Sequence, residues 1–242
     1  MGAQGPLRRD AERNRRQLVE TAKVVFAERG LEAPLDEIAR RAQVGNATLY
    51  RRFPSRGHLV AAVFADALRE VVAATEQALA VEDPWAAFAE HLTFLCEVQA
   101  GNRAFADLLT ATVSGVPELE SLRGRAFLGL TALIDRARAA GVLRPDFQHE
   151  DVVPVLMANA GLVERTGATA PTAWRRQLGY TLAGLRAPAD APAEPAPDRA
   201  GILRAMHALA ERNGLTAEAD FGASAGLAPG VEGELLLHRP PR

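Results

Sequence analysis

The chain has one cysteine, Cys96, in 242 residues. A single thiol excludes an internal disulfide and a cysteine-built zinc site. Cys96 then reads as a small buried hydrophobe, with a redox-sensing thiol as the rival reading. Lysine is almost missing too: Lys23 stands alone among 28 Lys+Arg, a bias that reads as codon usage in a GC-rich genome. No apolar run is long enough to span a membrane. Arg8, Arg9, Arg13, Arg15 and Arg16 lead into an amphipathic segment, where a secretion signal would have an unbroken apolar stretch. A cytoplasmic protein with no membrane partner is the expectation. Period-2 alternation is absent, so no sheet is expected.

Signs of catalysis are equally scarce. There is no phosphate-cradling glycine loop and no paired-carboxylate site, and His149-Glu150-Asp151 lacks the second histidine of a zinc helix. Gly222-Ala223-Ser224-Ala225-Gly226 matches a nucleophile-elbow pattern, with His238 downstream. The elbow needs a strand, a strained turn and a helix on a parallel sheet, whereas this match sits in a Gly/Ala-rich tail. We read it as chance, and expect no enzyme, no cofactor and no metal.

What is present is helical periodicity. Apolar residues recur three and four apart along most of the chain, between clear stop and start signals. The pattern predicts helices over about 11–30, 34–42, 46–52, 56–80, 84–101, 103–113, 118–140, 150–165 and 172–187. Gly30, Pro54, Ser55, Asp83-Pro84, Gly101-Asn102, Pro117 and Gly141 punctuate them. A Pro/Ala linker follows Arg186, then a short amphipathic stretch over 199–213 and a Gly/Ala-rich end expected to be poorly ordered. The fold class is therefore all-α, in three parts. Residues 1–56 form an N-terminal arm and head, 57–187 a helical body joined by the long helix, and 188–242 a linker and tail.

Charge divides along the same line. Residues 1–57 carry 12 Lys+Arg against 7 Asp+Glu, while the remainder carries 16 against 23. A basic head on an acidic body suits a polyanion partner at the head and something else at the body. Residues 36–53, DEIARRAQVGNATLYRRF, sharpen this. They read as two short helices joined by a tight turn. The second combines small Gly45 and Ala47 with Asn46, Thr48 and Tyr50, then Arg51 and Arg52. Such a helix is slim enough to enter a DNA major groove, polar enough to read base edges and positive enough to hold phosphates. A plain surface hairpin is the bland rival, against which charge, turn and aromatic placement coincide. Tyr50 has two readings, a half-buried core residue or a phenol donating to a phosphate. The arginine run before residue 17 also has two, a DNA-touching arm or a solvated charge run.

Residues 10–65 resemble the DNA-binding domain of the tetracycline-repressor (TetR) family: a helix ending FAERG, then LDEIARRAQV, then NATLYRRFPSR, then an apolar helix. The helical remainder to about 187 fits that family's ligand-binding and dimerisation body in length and helix count. The tail from 188 lies outside the resemblance. The resemblance implies a homodimer bound to a palindromic operator in double-stranded DNA, released by an unknown small-molecule effector and acting as a repressor. A helical ligand- or partner-binding protein without operator readout is the alternative. By the resemblance, Asn46, Ala47, Thr48 and Tyr50 lie nearest the DNA, Arg52 and Arg56 hold phosphates, and Phe53 packs the head, with Pro34 and Arg51 completing the DNA-binding set. Gln43 stands where glycine is usual, a strained choice if φ is positive there. Gly57 stands where a helix-favouring acidic residue is common, weakening that helix's first turn.

For the body, Phe88, His91, Phe94, Leu95, Phe105, Leu108 and Met157 are the candidate pocket wall, with Cys96 beside them, and plain core is the favoured reading for most of them, as a satisfied core or surface histidine is for His91. Helices 150–165 and 172–187 are expected to pair with their twofold mates as a four-helix interface. Val155, Asn159, Leu162, Trp174, Leu178, Leu182 and Leu185 are the interface candidates.

Overall fold

The structure, a computed structural model, describes residues 6–111, 115–188, 194–195 and 198–216, with side chains from Asp10 onward. The side chains of the arginines at 8 and 9, and the whole elbow-like pattern with its serine at 224 and histidine at 238, lie outside what is described. Among the described residues there are ten α-helices. The head contains α1 (Pro6–Arg29), α2 (Leu35–Arg41) and α3 (Asn46–Arg52). The body contains α4 (Arg56–Ala80), α5 (Pro84–Gly101), α6 (Arg103–Thr110), α7 (Pro117–Ala139), α8 (Val152–Thr166) and α9 (Ala173–Leu185). After the linker comes α10 (Arg199–Arg212). The one departure towards β structure is an isolated bridge between Leu143 and Arg186. No helix among the described residues is long and apolar enough to cross a membrane.

Local chemistry explains where the helices begin. Ser55 Oγ accepts from His58 N at 3.4 Å, Asp83 Oδ1 from Trp85 N at 2.8 Å, and Asn102 Oδ1 from Phe105 N at 3.1 Å. Each side chain satisfies an amide that the first turn leaves without a partner. α1 starts at Pro6, ahead of the expected Ala11. Ion pairs one turn apart, Arg13 to Asp10 at 3.1 Å and Arg16 to Glu12 at 3.7 Å, let the charged run continue as helix.

Arginines close the other ends. The Arg136 guanidinium donates to Leu79 O at 2.8 Å and Ala78 O at 3.4 Å, finishing α4. Arg123 donates to Leu108 O and to Ala111 O, finishing α6. One planar fork reaching two carbonyls is a geometry that an ammonium lacks.

Gly57 corrects an expectation. It is buried, and a Cβ there would come within 2.9 Å of Val116 Cγ2. Close approach of the α4 start to the segment before α7 accounts for the glycine better than a weakened first turn.

Head and body share one core. Leu18, Ala22, Phe26, Ile38 and Leu49 in the head are fully buried, in the same apolar cluster as Leu59, Phe64 and Leu68 of α4 and Phe105 of α6. The aromatic rings form a chain across the junction: Phe26 to Phe64 at 6.3 Å, then Phe64 to Phe105 at 5.8 Å. α4 runs along α7, α5 lies against α4, α7 and α8, and α9 docks on α5 and α8. α10 packs on α6, so the stretch 199–212 is part of the folded body.

Phe64→Ala removes the middle ring of that chain. The expected loss is about 3–5 kcal/mol of unfolding free energy, read from urea midpoints. A change below about 1 kcal/mol would show that this junction is not a packed core.

Candidate nucleic-acid interface and body cavity

α3 is held from beneath by Leu49 and Phe53, both buried. Everything else on it faces outward: Asn46, Ala47, Arg51 and Arg52 are exposed, Thr48 is half-buried, and Tyr50 is 43% exposed. Arg51 Nη2 lies 3.5 Å from Thr48 Oγ1, so that cation lies along the helix surface. Pro34 is exposed at the start of α2. The turn before α3 contains Gln43 at φ 53°, the one non-glycine residue with positive φ among those described. The conditional strain at this position is therefore present.

α2 is tied back to α1. Glu37 bonds Arg29 and pairs with Arg41 at 2.8 Å, and Arg41 also reaches Glu28 at 2.7 Å. Arg15 of α1 covers the Phe53 ring at 5.6 Å. The ion pairs engage Arg29 and Arg41, while Arg51 and Arg52 stay exposed on the outer surface of α3.

Arg56 does not stand with them. Its Nη1 donates to Leu31 O at 2.7 Å and Ala33 O at 2.6 Å, in the loop between α1 and α2. Its expected role on a phosphate is corrected: it clamps the head's first loop to the start of α4. On its other side, Leu31 N donates to Asp107 Oδ2 of α6 at 3.3 Å. Gly30, at φ +76°, makes room there, since a Cβ would meet Asp107 Oδ2 at 2.9 Å.

The expected pocket wall is mostly core. Phe88, Phe105 and Leu108 are at most 1% exposed and Leu95 is 4% exposed, all packed in the main cluster with Cys96. Burial pushes the Cys96 thiol up to about 12, which makes it an inert hydrophobe. Phe94 lines a shallow surface hollow with Glu90, Thr93 and Glu97. His91 is 3% exposed; its Nε2 lies 3.2 Å from Thr75 Oγ1, and its Nδ1 has no hydrogen-bond partner. Burial holds its pKa down to about 4, so it is neutral at pH 7.

The cavity lies elsewhere. A space of about 470 Å³ opens where α5, α6, α8 and α10 meet, beside Glu32 of the head. Met157 is the one expected residue that lines it. Gln99, Arg103 and Asp107 supply polar groups, and Val163 and Leu209 supply apolar wall. Arg103 pairs with Glu164 at 2.9 Å. Burial raises the Asp107 pKa; the Leu31 amide and Arg103 oppose the rise, while Glu164 and Glu32 add to it. The spacing of Arg103, Asp107 and Thr110 along α6 puts three polar groups on one helical face, the sequence signal that could have located the cavity.

The expected dimer residues divide into two groups. Trp174 is 3% exposed, Leu178 5% and Asn159 6%, all buried within one protomer. Asn159 Nδ2 donates to Gln99 Oε1 at 2.9 Å and Cys96 O at 3.2 Å, so it ties α8 to α5. These three are corrected to core positions. Val155, Leu162, Leu182 and Leu185 are partly exposed.

Residues 18–63 match the family described as bacterial regulatory proteins, tetR family, and residues 83–187 match the SbtR-like transcriptional regulator C-terminal domain. A TetR transcriptional regulator from Streptomyces coelicolor is 33% identical, covering 72% of this chain and 99% of its own, with a TM-score of 0.46. A TetR transcription regulatory protein from Mycobacterium vanbaalenii is 31% identical, covering 75% of this chain and 99% of its own, with a TM-score of 0.42. No curated protein matches the sequence.

His91 gives a pH test. The unfolded imidazole takes a proton near its ordinary value of 6.5, the folded one only near 4, so stability is full above 6.5 and falls as pH drops between them. The expected contribution between pH 7 and pH 5 is a loss of about 2 kcal/mol. His91→Leu is expected to remove that part of the wild-type pH dependence in urea titrations. An unchanged difference between the two pH values would mean that the ring is solvated.

Proposed function

We propose that this chain, which belongs to the tetR family of bacterial regulatory proteins, is a homodimeric repressor that binds a palindromic operator and is released by a small-molecule effector. One observation carries the operator reading. α3 presents Asn46, Ala47, Thr48, Arg51 and Arg52 outward, while Leu49 and Phe53 anchor it and Arg29 and Arg41 behind it are paired with carboxylates. A helix braced this way offers its outer side chains to base edges and phosphates.

Two such helices must sit about 34–36 Å apart, or a multiple of that, to enter successive major grooves on one DNA face. The dimer that holds them would use the outer faces of α8 and α9. There Ala158, Gly179, Tyr180 and Ala183 are exposed, flanked by the partly exposed Val155, Leu162, Leu182 and Leu185. Small residues on this face let two helix pairs approach closely, and Tyr180, 59% exposed, is a large ring suited to burial against a second copy. An effector acts by binding a splayed arrangement of the two heads better than the DNA-bound one, and shifts the equilibrium only by that difference.

Two substitutions test this. Arg52→Ala is expected to weaken binding to all duplexes and to lower the slope of log affinity against log salt by about 1. A change in sequence preference with an unchanged slope would remove Arg52 from the phosphates. Tyr180→Asp is expected to give a folded monomer by sedimentation, with operator binding lost. A mutant that stays dimeric would rule out this face.

A further inference from the structure

The cavity beside Glu32 presents two unmet demands. Gln99 is fully buried and lines it; its Oε1 accepts from Asn159, while its Nε2 has no hydrogen-bond partner. A buried amide donor without an acceptor costs free energy that a ligand acceptor would recover. Asp107 lines the same space, with a carboxylate that burial disfavours and that receives one long hydrogen bond, 3.3 Å from Leu31 N. Arg103, the cation whose field reaches it, is engaged by Glu164 at 2.9 Å, and Arg212 of α10 also lines the space. A cation brought by a ligand would satisfy Asp107 where the protein does not. Between these groups lie Met157, Val163 and Leu209, an apolar wall.

One side of this space belongs to α10. Residues 199–212 lie beyond both matched regions, which end at 63 and 187. The helix is nevertheless docked. Ala210, Asn213 and Leu215 are buried, and Leu215 N donates to Ala210 O at 2.9 Å to close its C-terminal turn. Gly214, at φ +62°, lies so close to Arg56 that a Cβ would meet its Nε at 2.8 Å. The same turn that closes the cavity therefore rests on the arginine that clamps the head's first loop.

We propose that this cavity takes a small amphiphilic amine, its ammonium at Asp107, its hydrogen-bond acceptor at Gln99 and its apolar body against Met157 and Leu209, with α10 as the lid. This rests on reading the body as effector-binding. The ammonium sits on the same carboxylate that accepts from Leu31 N. Occupancy therefore acts on the tie between α6 and the head, which gives the ligand a direct route to the DNA-binding helices.

The test is calorimetric titration of the full chain with three probes of one shape: tyramine, its neutral analogue tyrosol and its anionic analogue 4-hydroxyphenylacetate. Tyramine is expected to bind at least about tenfold more tightly than either analogue. Asp107→Asn, which keeps an acceptor for Leu31 N, is expected to abolish that preference. Ala160→Phe, which fills the cavity from α8, is expected to abolish tyramine binding with the melting temperature maintained. Equal or tighter binding of the anion overturns the proposal, as does unchanged tyramine affinity in either variant, or no binding of any probe at millimolar concentration. Gel shifts on the same preparations separate the two readings. Operator binding without tyramine binding overturns the cavity assignment alone. Tyramine binding without operator binding supports the cavity and sinks the repressor.

Discussion

The loop from Gly30 to Ala33 is gripped from two sides, and the use of the head depends on that grip. From below, the Arg56 guanidinium takes the carbonyls of Leu31 and Ala33; from above, Asp107 takes the Leu31 amide. In the proposed dimer, a head that swivels freely would not hold α3 at a fixed distance from its twin. A head fused rigidly to the body cannot respond to it. The apolar chain Phe26–Phe64–Phe105 supplies the rigid part of the joint, while the polar grip on the loop is the part that a change at α6 can reach.

The same logic explains why arginine recurs at the ends of helices. Arg56, Arg123 and Arg136 each span two backbone carbonyls at a partly buried helix end or loop. Arginine supplies all but one of the Lys and Arg residues of this chain, and at Arg123 and Arg136 the planar fork, one carbonyl on each Nη, has a structural role that lysine's point charge would fill less well. The scarcity of lysine is thus more than a compositional accident at these sites.

Much of the fold was legible because helix boundaries are written locally. Ser55, Asp83, Asn102 and Gly30 each act within one turn of themselves, and the segments between them carry clear helical periodicity. The reading face was legible for a similar reason: a seven-residue helix with one apolar side has a single way to lie, so Asn46, Ala47 and Arg52 had to face out. What failed was the choice between partners for a buried face. Trp174 and Asn159 mark the apolar sides of α9 and α8, but periodicity does not say whether a neighbour in the same protomer or a second copy covers them; Asn159 bonds to α5, and α9 docks on α5 and α8 of its own protomer. Phe88 and Phe105 carried the same ambiguity, since aromatic residues fill a core as readily as they line a pocket, and burial settles both as core. The cavity depends on α10 folding back across a Pro/Ala linker, a long-range event with no local signature.

Arg56 offers the sharpest test, because two roles for it predict opposite results. The measurement is the affinity of the full-length Arg56→Lys chain for operator duplex across a salt series. A lysine keeps the charge that a phosphate contact needs, but its side chain is one bond shorter than the one that carries Arg56 Nη1 to Leu31 O and Ala33 O. The clamp predicts weaker operator binding with an unchanged salt slope and a lower melting temperature. Wild-type affinity and wild-type melting in the lysine variant would contradict it, and would return Arg56 to the DNA backbone.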